Sequence, residues 1–378
     1  MRPSLSRTLL PSLLLPLAAL GGCGQDGPPP LPPVPEEAMA AVATEPGVPR
    51  ESLARAVDRL FAEEGAGETR ALLVLHDGDI VAERYSENVD ADTRQVGWSM
   101  SKTVTAVLVG MLVADGRLAL DRPAPIPRWQ RSGDPRGEIT LRHLLQMRSG
   151  LRHQEKADPV YESPEVRMMY LDGRDDMAGW AEAQPLDHEP GTHFQYSTNS
   201  TVILADIATS ELAPGGAPRQ RQQAMAEFLE ARLGTPLGMD SLVAEYDADG
   251  TMIGGSAVWA TARDWAKFGE FLRNGGRAGG VQVLPRSWVQ FMREPSPAAS
   301  DYGGLTWLNR DSGVEDRTVL SPGKMPDDAF AAVGHLGQYV LVSPSQKLTV
   351  VRLGKTDEEM RGELVERLAD IVALYPGR

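Results

Sequence analysis

A chain of 378 residues with 42% hydrophobic side chains holds enough material for one large folded domain or two ordinary ones. Its formal charge of −14 argues against nucleic acid as a partner. The acidic residues are dispersed and no histidine pair has His-Glu-x-x-His or similar spacing, so neither a metal nor an organic cofactor is expected.

Residues 1–22 read as an export signal. Arg2 and Arg7 supply the positive start, and Thr8 to Leu20 is a mostly apolar run too short to span a bilayer. Leu20-Gly21-Gly22-Cys23 then resembles the bacterial lipobox, in which the cysteine is lipidated and becomes the first residue of the mature chain. The other reading is an ordinary secretory signal cut near Gly22. Cys23 is the only cysteine and has no disulfide partner within the chain, which favours lipidation. The expectation is an exported cell-envelope lipoprotein at the periplasmic face of a bacterial membrane, held there by lipid on Cys23. Residues 23–50 read as its tether, with Pro28-Pro29-Pro30-Leu31-Pro32-Pro33-Val34-Pro35 extending by about 3.1 Å per residue. No later segment looks transmembrane.

The folded domain is expected over residues 51–378. Glu51 to Glu63 is helical in pattern, with Leu53, Val57, Leu60 and Phe61 apolar. Ala71 to Leu75 and Ile80 to Tyr85, joined through His76-Asp77-Gly78-Asp79, form a hairpin signal. A helix follows from Ser99, with Met100, Val104, Val107, Leu108, Met111 and Leu112 as its core face and Asp115-Gly116 as its stop. Short helical patterns come next (Leu141 to Met147, Met177 to Ala183, Val202 to Leu212, Gln222 to Leu233), separated by loops rich in Pro, Gly and Asp. Arg152 to Met177 reads as a loop-rich stretch whose Tyr161 and Tyr170 are candidates to cover a site. Arg263 to Asn274 and Arg286 to Arg293 are further helices. Ala331 to Val333, Tyr339 to Val342 and Leu348 to Leu353 read as strands, and Glu358 to Tyr375 as a closing amphipathic helix. Strands at both ends with helices between predict an α/β domain. Its antiparallel sheet is built from residues 51–115 and 259–378, with flanking helices and a mainly helical region, 116–258, inserted.

Ser99-Met100-Ser101-Lys102 is the most chemically informative stretch. A serine hydroxyl is a poor nucleophile until a base takes its proton, and a lysine three residues on shares its helical face. In a dry site that lysine would lose affinity for its proton and act as a base, or as a cation beside one. The competing reading is a serine N-cap followed by a solvated lysine. A second Ser-x-x-Lys, Ser321-Pro322-Gly323-Lys324, contains a proline and a glycine that argue against a helix. Tyr196, in Pro190-Gly191-Thr192-His193-Phe194-Gln195-Tyr196-Ser197-Thr198-Asn199, is the best third group, because a tyrosine near an ammonium can have a lowered pKa. Gly97-Trp98-Ser99-Met100-Ser101 lacks the last glycine of the α/β-hydrolase elbow.

Ser99-x-x-Lys102, Tyr196-Ser197-x-Asn199 and Gly334-His335-Leu336-Gly337-Gln338, in this order and spacing, resemble the serine β-lactamase-related hydrolases. That superfamily includes class C β-lactamases, DD-peptidases, esterases of the same fold and 6-aminohexanoate-oligomer hydrolases. Leu112-x-x-Asp115-Gly116, Ile139-Thr140-x-Arg142-His143-Leu144-Leu145 and Gly254-Gly255-Ser256 add to the similarity, which covers roughly Ala71 to Tyr375. Gly334 to Gln338 followed by Tyr339 looks most like the aminohexanoate-hydrolase and esterase branch.

The resemblance implies a β-lactamase-like (penicillin-binding-protein-like) fold and a set of roles. Ser99 would be the nucleophile, Lys102 its activator, and Tyr196 the general base and acid. The backbone amides of Ser99 and Gln338 would form the oxyanion hole. Asn199, His335 and Gly337, with Tyr161 and Tyr170, are the expected substrate contacts. The family pattern is Tyr-x-Asn where this chain has Tyr-x-x-Asn, and His335-Leu336-Gly337 replaces Lys-Thr-Gly. His335 is weakly cationic near neutral pH and Leu336 has no hydroxyl, which disfavours a β-lactam carboxylate. The expected activity is hydrolysis of a small-molecule or peptide-like ester or amide. The alternatives are a β-lactamase or DD-peptidase, and a non-catalytic cell-wall-binding lipoprotein of the same fold.

Overall fold

The computed structural model describes residues 32–62, 65–314, 317 and 319–377; Cys23 and the expected signal segment lie outside them. The scaffold is an antiparallel sheet of six described strands: β1 (Glu68–His76), β2 (Asp79–Tyr85), β3 (Trp307–Leu308), β4 (Phe330–Gly334), β5 (Gln338–Ser343) and β6 (Leu348–Lys355). Their spatial order is β2-β1-β6-β5-β4-β3. β1 lies directly against β6, with Ala71 opposite Leu353 and Leu73 opposite Val351, so early and late parts of the chain meet inside the sheet.

Side chains alternate cleanly between two cores. Ala71, Leu73, Val340, Val342, Val351 and Leu353 face one. Leu72, Val74, Tyr339, Leu341, Leu348 and Val350 face the other. Both faces are covered, which is why Ala71 to Leu75 reads as an unbroken apolar run. Helices α1 (Arg50–Phe61) and α6 (Arg361–Leu374) cover the second face through Leu53, Val57, Leu364 and Leu368. On the first face lie α2 (Met100–Ala114) and α5 (Ala262–Arg273), with Val104, Val107, Trp265 and Phe268 in its core. The inserted region contributes α3 (Pro164–Tyr170), α4 (Thr198–Leu212) and further helices at Leu141–Leu145, Met177–Glu182 and Pro218–Leu229.

Three expectations change. First, the folded unit begins at Val34, not residue 51. Residues 36–40 are helical, Ala38 and Val42 are buried, and the backbone at Ala41 and Ala43 pairs with Glu83 and Val81. This segment covers the edge of β2, an exposed pairing template that folded proteins usually protect. Second, α2 has no solvent face: every residue from Met100 to Leu112 is buried. Its polar members are held by side-chain bonds, Thr103 donating to the Leu305 carbonyl at 2.8 Å and Thr105 to that of Gly254 at 2.9 Å. Third, the stretch expected to be loop-rich contains α3, opened by Ser163, whose hydroxyl caps the Val166 amide, and Pro164 at its first position.

Gly110 gives the packing around α2 a test. A Cβ at this position would lie 2.2 Å from the Trp288 indole nitrogen, which donates to the Ala106 carbonyl at 3.0 Å. Alanine normally favours a helix interior over glycine by about 1 kcal/mol. Here overpacking dominates, at about 1–3 kcal/mol. Gly110→Ala therefore lowers the thermal midpoint, and adding Trp288→Leu to that variant recovers part of the Gly110→Ala loss measured against Trp288→Leu alone.

Candidate active site

Ser99 stands at the mouth of α2, where the chain turns sharply. Trp98 has φ of +48°, a left-handed backbone that is uncommon for a bulky side chain and tends to mark functional sites. Gly97 fits beneath because a Cβ there would lie 2.5 Å from the Trp265 ring. Ser99 occupies the N-cap position, yet its side chain makes no cap bond. Its oxygen instead accepts from the Lys102 ammonium at 3.0 Å. The N-cap reading of Ser99 is thus excluded, and so is a solvated lysine, because Lys102 is 1% exposed.

Lys102 uses its three N–H donors on three acceptors: Ser99 Oγ at 3.0 Å, Thr198 Oγ1 at 3.0 Å and the Gly255 carbonyl at 2.9 Å. The glycine pair at 254–255 permits this approach. A Cβ on Gly254 would lie 2.4 Å from Thr105 Oγ1, and one on Gly255 would lie 2.8 Å from Thr198 Cγ2.

Behind Lys102 lies a group the sequence did not announce. Thr198 donates its hydroxyl toward Glu165 Oε1 at 3.1 Å and Glu155 Oε2 at 3.3 Å. Glu155 Oε1 accepts the Thr198 backbone N–H at 2.7 Å and sits 2.7 Å from His153 Nε2. The Glu155 carboxylate therefore caps the N-terminus of α4, where negative charge is stabilised. Burial would raise the pKa of Glu155, but His153 and Lys102 overcome it and bring it to about 2. Burial and the neighbouring Glu155 push the Glu165 pKa up, opposite to the direction at Glu155.

This group favours the cation over the base among the two expected states of Lys102. Burial alone pulls the Lys102 pKa down, as expected of a dry site, but Tyr196, Glu155 and Glu165 outweigh it and the net direction is up. Tyr196 is half-buried, stacked on Trp307 at 5.4 Å, with Lys102 Nζ 5.0 Å from its ring centroid. Its pKa is also raised: burial and Glu155 outweigh the opposite pull of Lys102 and Ser99. The resting site therefore holds a charged lysine beside a neutral phenol.

The strand turn from β4 into β5 forms the opposite wall. Gly334 packs on the Ser99 turn so closely that a Cβ would lie 2.2 Å from the Gly97 carbonyl oxygen. His335 is exposed at the surface with its ring edge-on to Trp98 at 5.6 Å. Partial burial and the cations of Arg361 and Lys156 push its pKa down. Leu336 and Gly337 have φ of +58° and +77°. Two side chains pin this turn. Buried Arg352 donates to the Gly337 carbonyl at 2.9 Å, and the Gln338 side chain donates to the carbonyls of His335 and Gly354 at 2.9 and 2.7 Å.

Two expected substrate contacts are corrected. Asn199 is fully buried in α4 and donates to the Arg152 carbonyl at 3.4 Å. Thr198, one residue earlier, takes the place beside Lys102. Gly337 lies under its turn, where a Cβ would lie 2.6 Å from Leu364 Cδ2, so it serves backbone geometry and not substrate contact. Tyr161 and Tyr170 are 60% and 54% exposed, on the same segment as Glu155 and Glu165. At the second Ser-x-x-Lys, Lys324 is paired with Glu366, and Ser321 also donates to Glu366. Among the described residues no group of three or more His, Cys, Asp or Glu is arranged to hold a metal ion.

Comparisons with known proteins give the chain's family and fold. The chain is 28% identical over 265 residues to a 6-aminohexanoate-dimer hydrolase of Paenarthrobacter ureafaciens, covering 66% of this chain and 63% of that one. It is 35% identical over 153 residues to the esterase EstB of Burkholderia gladioli, covering 37% and 36%. The match thus spans less than two thirds of either relative. A penicillin-binding protein homologue from Caulobacter crescentus superposes with a TM-score of 0.63 at 16% identity, over 88% of this chain and 97% of its own, and shares the expected fold. The Beta-lactamase family model matches residues 57–374, nearly the whole described domain, and the chain belongs to that family.

Proposed function

We propose that this protein is a serine hydrolase that cleaves a carboxylic ester or amide through an acyl-enzyme on Ser99. The observation that carries the reading is the accessible Ser99 hydroxyl held 3.0 Å from a buried lysine whose other donors are both occupied. With Lys102 donating to it, the Ser99 proton is free to point to Tyr196. Loss of one proton from the Lys102–Tyr196 couple yields phenolate beside ammonium. The phenolate takes the Ser99 proton as the oxygen attacks the carbonyl carbon, and returns it to the leaving alcohol or amine as the acyl bond breaks. Water then repeats the sequence on the acyl-enzyme. The backbone amides of Ser99 and Gln338 are the proposed donors to the oxyanion, a role suited to the closely packed turns that carry them.

The relatives support esters and amides as the substrate class. The turn at 335–337 supports the same choice, because it offers neither ammonium nor hydroxyl for a β-lactam carboxylate. Localisation is proposed from the sequence alone: export, with lipid on Cys23.

Four outcomes are expected. Ser99→Ala folds, loses turnover of p-nitrophenyl esters and no longer reacts with a fluorophosphonate. Retained labelling would remove Ser99 from the mechanism, and an unlabelled wild type would favour a binding protein of the same fold. Tyr196→Phe slows pre-steady-state acylation by about 10²–10⁴-fold, the usual size of a general acid–base contribution. Nitrocefin turnover falls below ester turnover by about 10- to 100-fold, the worth of one charge-assisted hydrogen bond. Intact-mass analysis of membrane-extracted protein finds a diacylglyceryl group on an amino-terminal Cys23; a mature chain starting elsewhere without lipid would overturn the anchor.

A further inference from the structure

We propose that Glu155, Glu165 and Thr198 are positioning residues for the reaction at Ser99, together anchoring the Lys102 ammonium so that Tyr196, and not Lys102, receives the serine proton. This rests on the serine-hydrolase reading and deepens it.

The hydrogen-bond directions carry the argument. An ammonium donates and cannot accept. Lys102 has three acceptors around it, at 2.9 to 3.0 Å. A neutral amine has two N–H donors and one lone pair. To take the Ser99 proton it would have to turn that lone pair to Ser99 and serve only the other two acceptors. Thr198 reinforces the charged arrangement. Its one hydroxyl proton points away from Lys102, because its oxygen is already the acceptor there, and toward the carboxyl pair. A directed chain therefore runs from Lys102 through Thr198 to Glu165 and Glu155, ending on a carboxylate.

The pair supplies charge that Lys102 lacks elsewhere. The groups around Lys102 and the pair come from each packed element: Glu155 and His153 from the segment before α3, Glu165 from α3, Thr198 from the first turn of α4, and Tyr196 just before it. Glu155 and Glu165 are the carboxyl groups that act on Lys102. Glu155, whose pKa His153 and Lys102 hold down, keeps a negative charge near the ammonium. Glu165, whose pKa is raised by burial and Glu155, ionises as pH rises, and the negative charge beside Lys102 grows. The lysine thus becomes harder to deprotonate over the range where a lysine base would be needed.

Lysine ¹³Cε NMR reads this directly, since the chain has six lysines and Lys102→Arg assigns the signal. In the wild-type protein Lys102 titrates above the exposed lysines. Glu155→Gln and Glu165→Gln each keep a side-chain acceptor while removing charge. Each lowers the Lys102 pKa by about one unit, and the double variant by about two, the size of a close carboxylate's effect. Glu155→Asp and Glu165→Asp keep the charge and most of the Lys102 pKa. In pH–rate profiles of ester hydrolysis, the double variant acquires a descending limb that the wild type lacks below about pH 10, while a purely structural role would lower the rate at every pH without moving a limb. Thr198→Val, which removes the bridge, lowers kcat with little change in KM.

A wild-type Lys102 that titrates below the exposed lysines overturns the inference, as does an unmoved Lys102 pKa in either folded single variant should the double variant fail to fold. These readouts need no turnover. Loss of the Ser99 reading would show separately, as fluorophosphonate labelling that survives Ser99→Ala.

Discussion

A lysine ammonium taken out of water is the constraint around which this site is built. Desolvating a cation costs several kcal/mol unless hydrogen bonds and opposite charge replace the solvent. At Lys102 that replacement comes from four separate parts of the chain. Ser99 is local, three residues back on the same helix. The Gly255 carbonyl arrives from a segment 153 residues away, Thr198 from 96 residues away, and Glu155 and Glu165 through Thr198. Each placement has steric consequences. Glycine is required at 254 and 255, and the first turn of α4 must butt against α2. The segment before α3 must fold inward, bringing a carboxylate to the N-terminus of α4.

The second element of the site is rigidity in the two turns that flank Ser99. Trp98 and Leu336 both adopt left-handed backbone conformations that cost energy in isolation. They persist because the surroundings hold them. Gly97 donates to the Val258 carbonyl at 2.8 Å and packs on Trp265; the second turn is held by Arg352 and by the Gln338 side chain. Arg352 is a buried cation whose side-chain bonds go to carbonyl and hydroxyl oxygens: Gly337, Glu68 and Thr356 receive bonds of 2.9, 2.8 and 2.8 Å. Burial brings its pKa down to about 10. It ties the start of β1 to the turn before β5, so the wall opposite Ser99 is braced through the sheet itself. A serine and its proposed oxyanion donors then stand on packed elements, which is what fixed reaction geometry requires.

These two features bear on chemistry in different ways. The buried charge cluster surrounds Lys102, the proposed partner of Ser99 in proton transfer. The turn at 335–337 lines the wall opposite Ser99 with an imidazole kept toward its neutral form and a leucine side chain. The two features meet at the Ser99 turn, where Trp98 packs on His335 and Gly97 on Gly334.

Local patterns determined much of the architecture. Ala71 to Leu75, the hairpin turn, the late strands and the helices at 50–61, 100–114 and 262–273 were legible because the periodicity of apolar side chains is a property of neighbouring residues. Ser99 and Lys102 were legible for the same reason, since three residues on one helix face meet wherever the helix goes. Tyr196 was named from its own stretch of sequence, and the ordered resemblance gave it a role. Residues 34–49 were misread as tether because a proline run says nothing of the sheet edge that Ala41 and Ala43 would meet. Asn199 was misplaced because a one-residue offset at a helix start decides between facing a lysine and facing the core. The protonation of Lys102 was left open between base and cation. Burial could be inferred from an apolar helix, but Glu155 and Glu165 look in sequence like any surface carboxylates among 52 acidic residues. Only the tertiary fold brings them to Thr198, and electrostatic energy depends on distance in space, which chain separation does not encode.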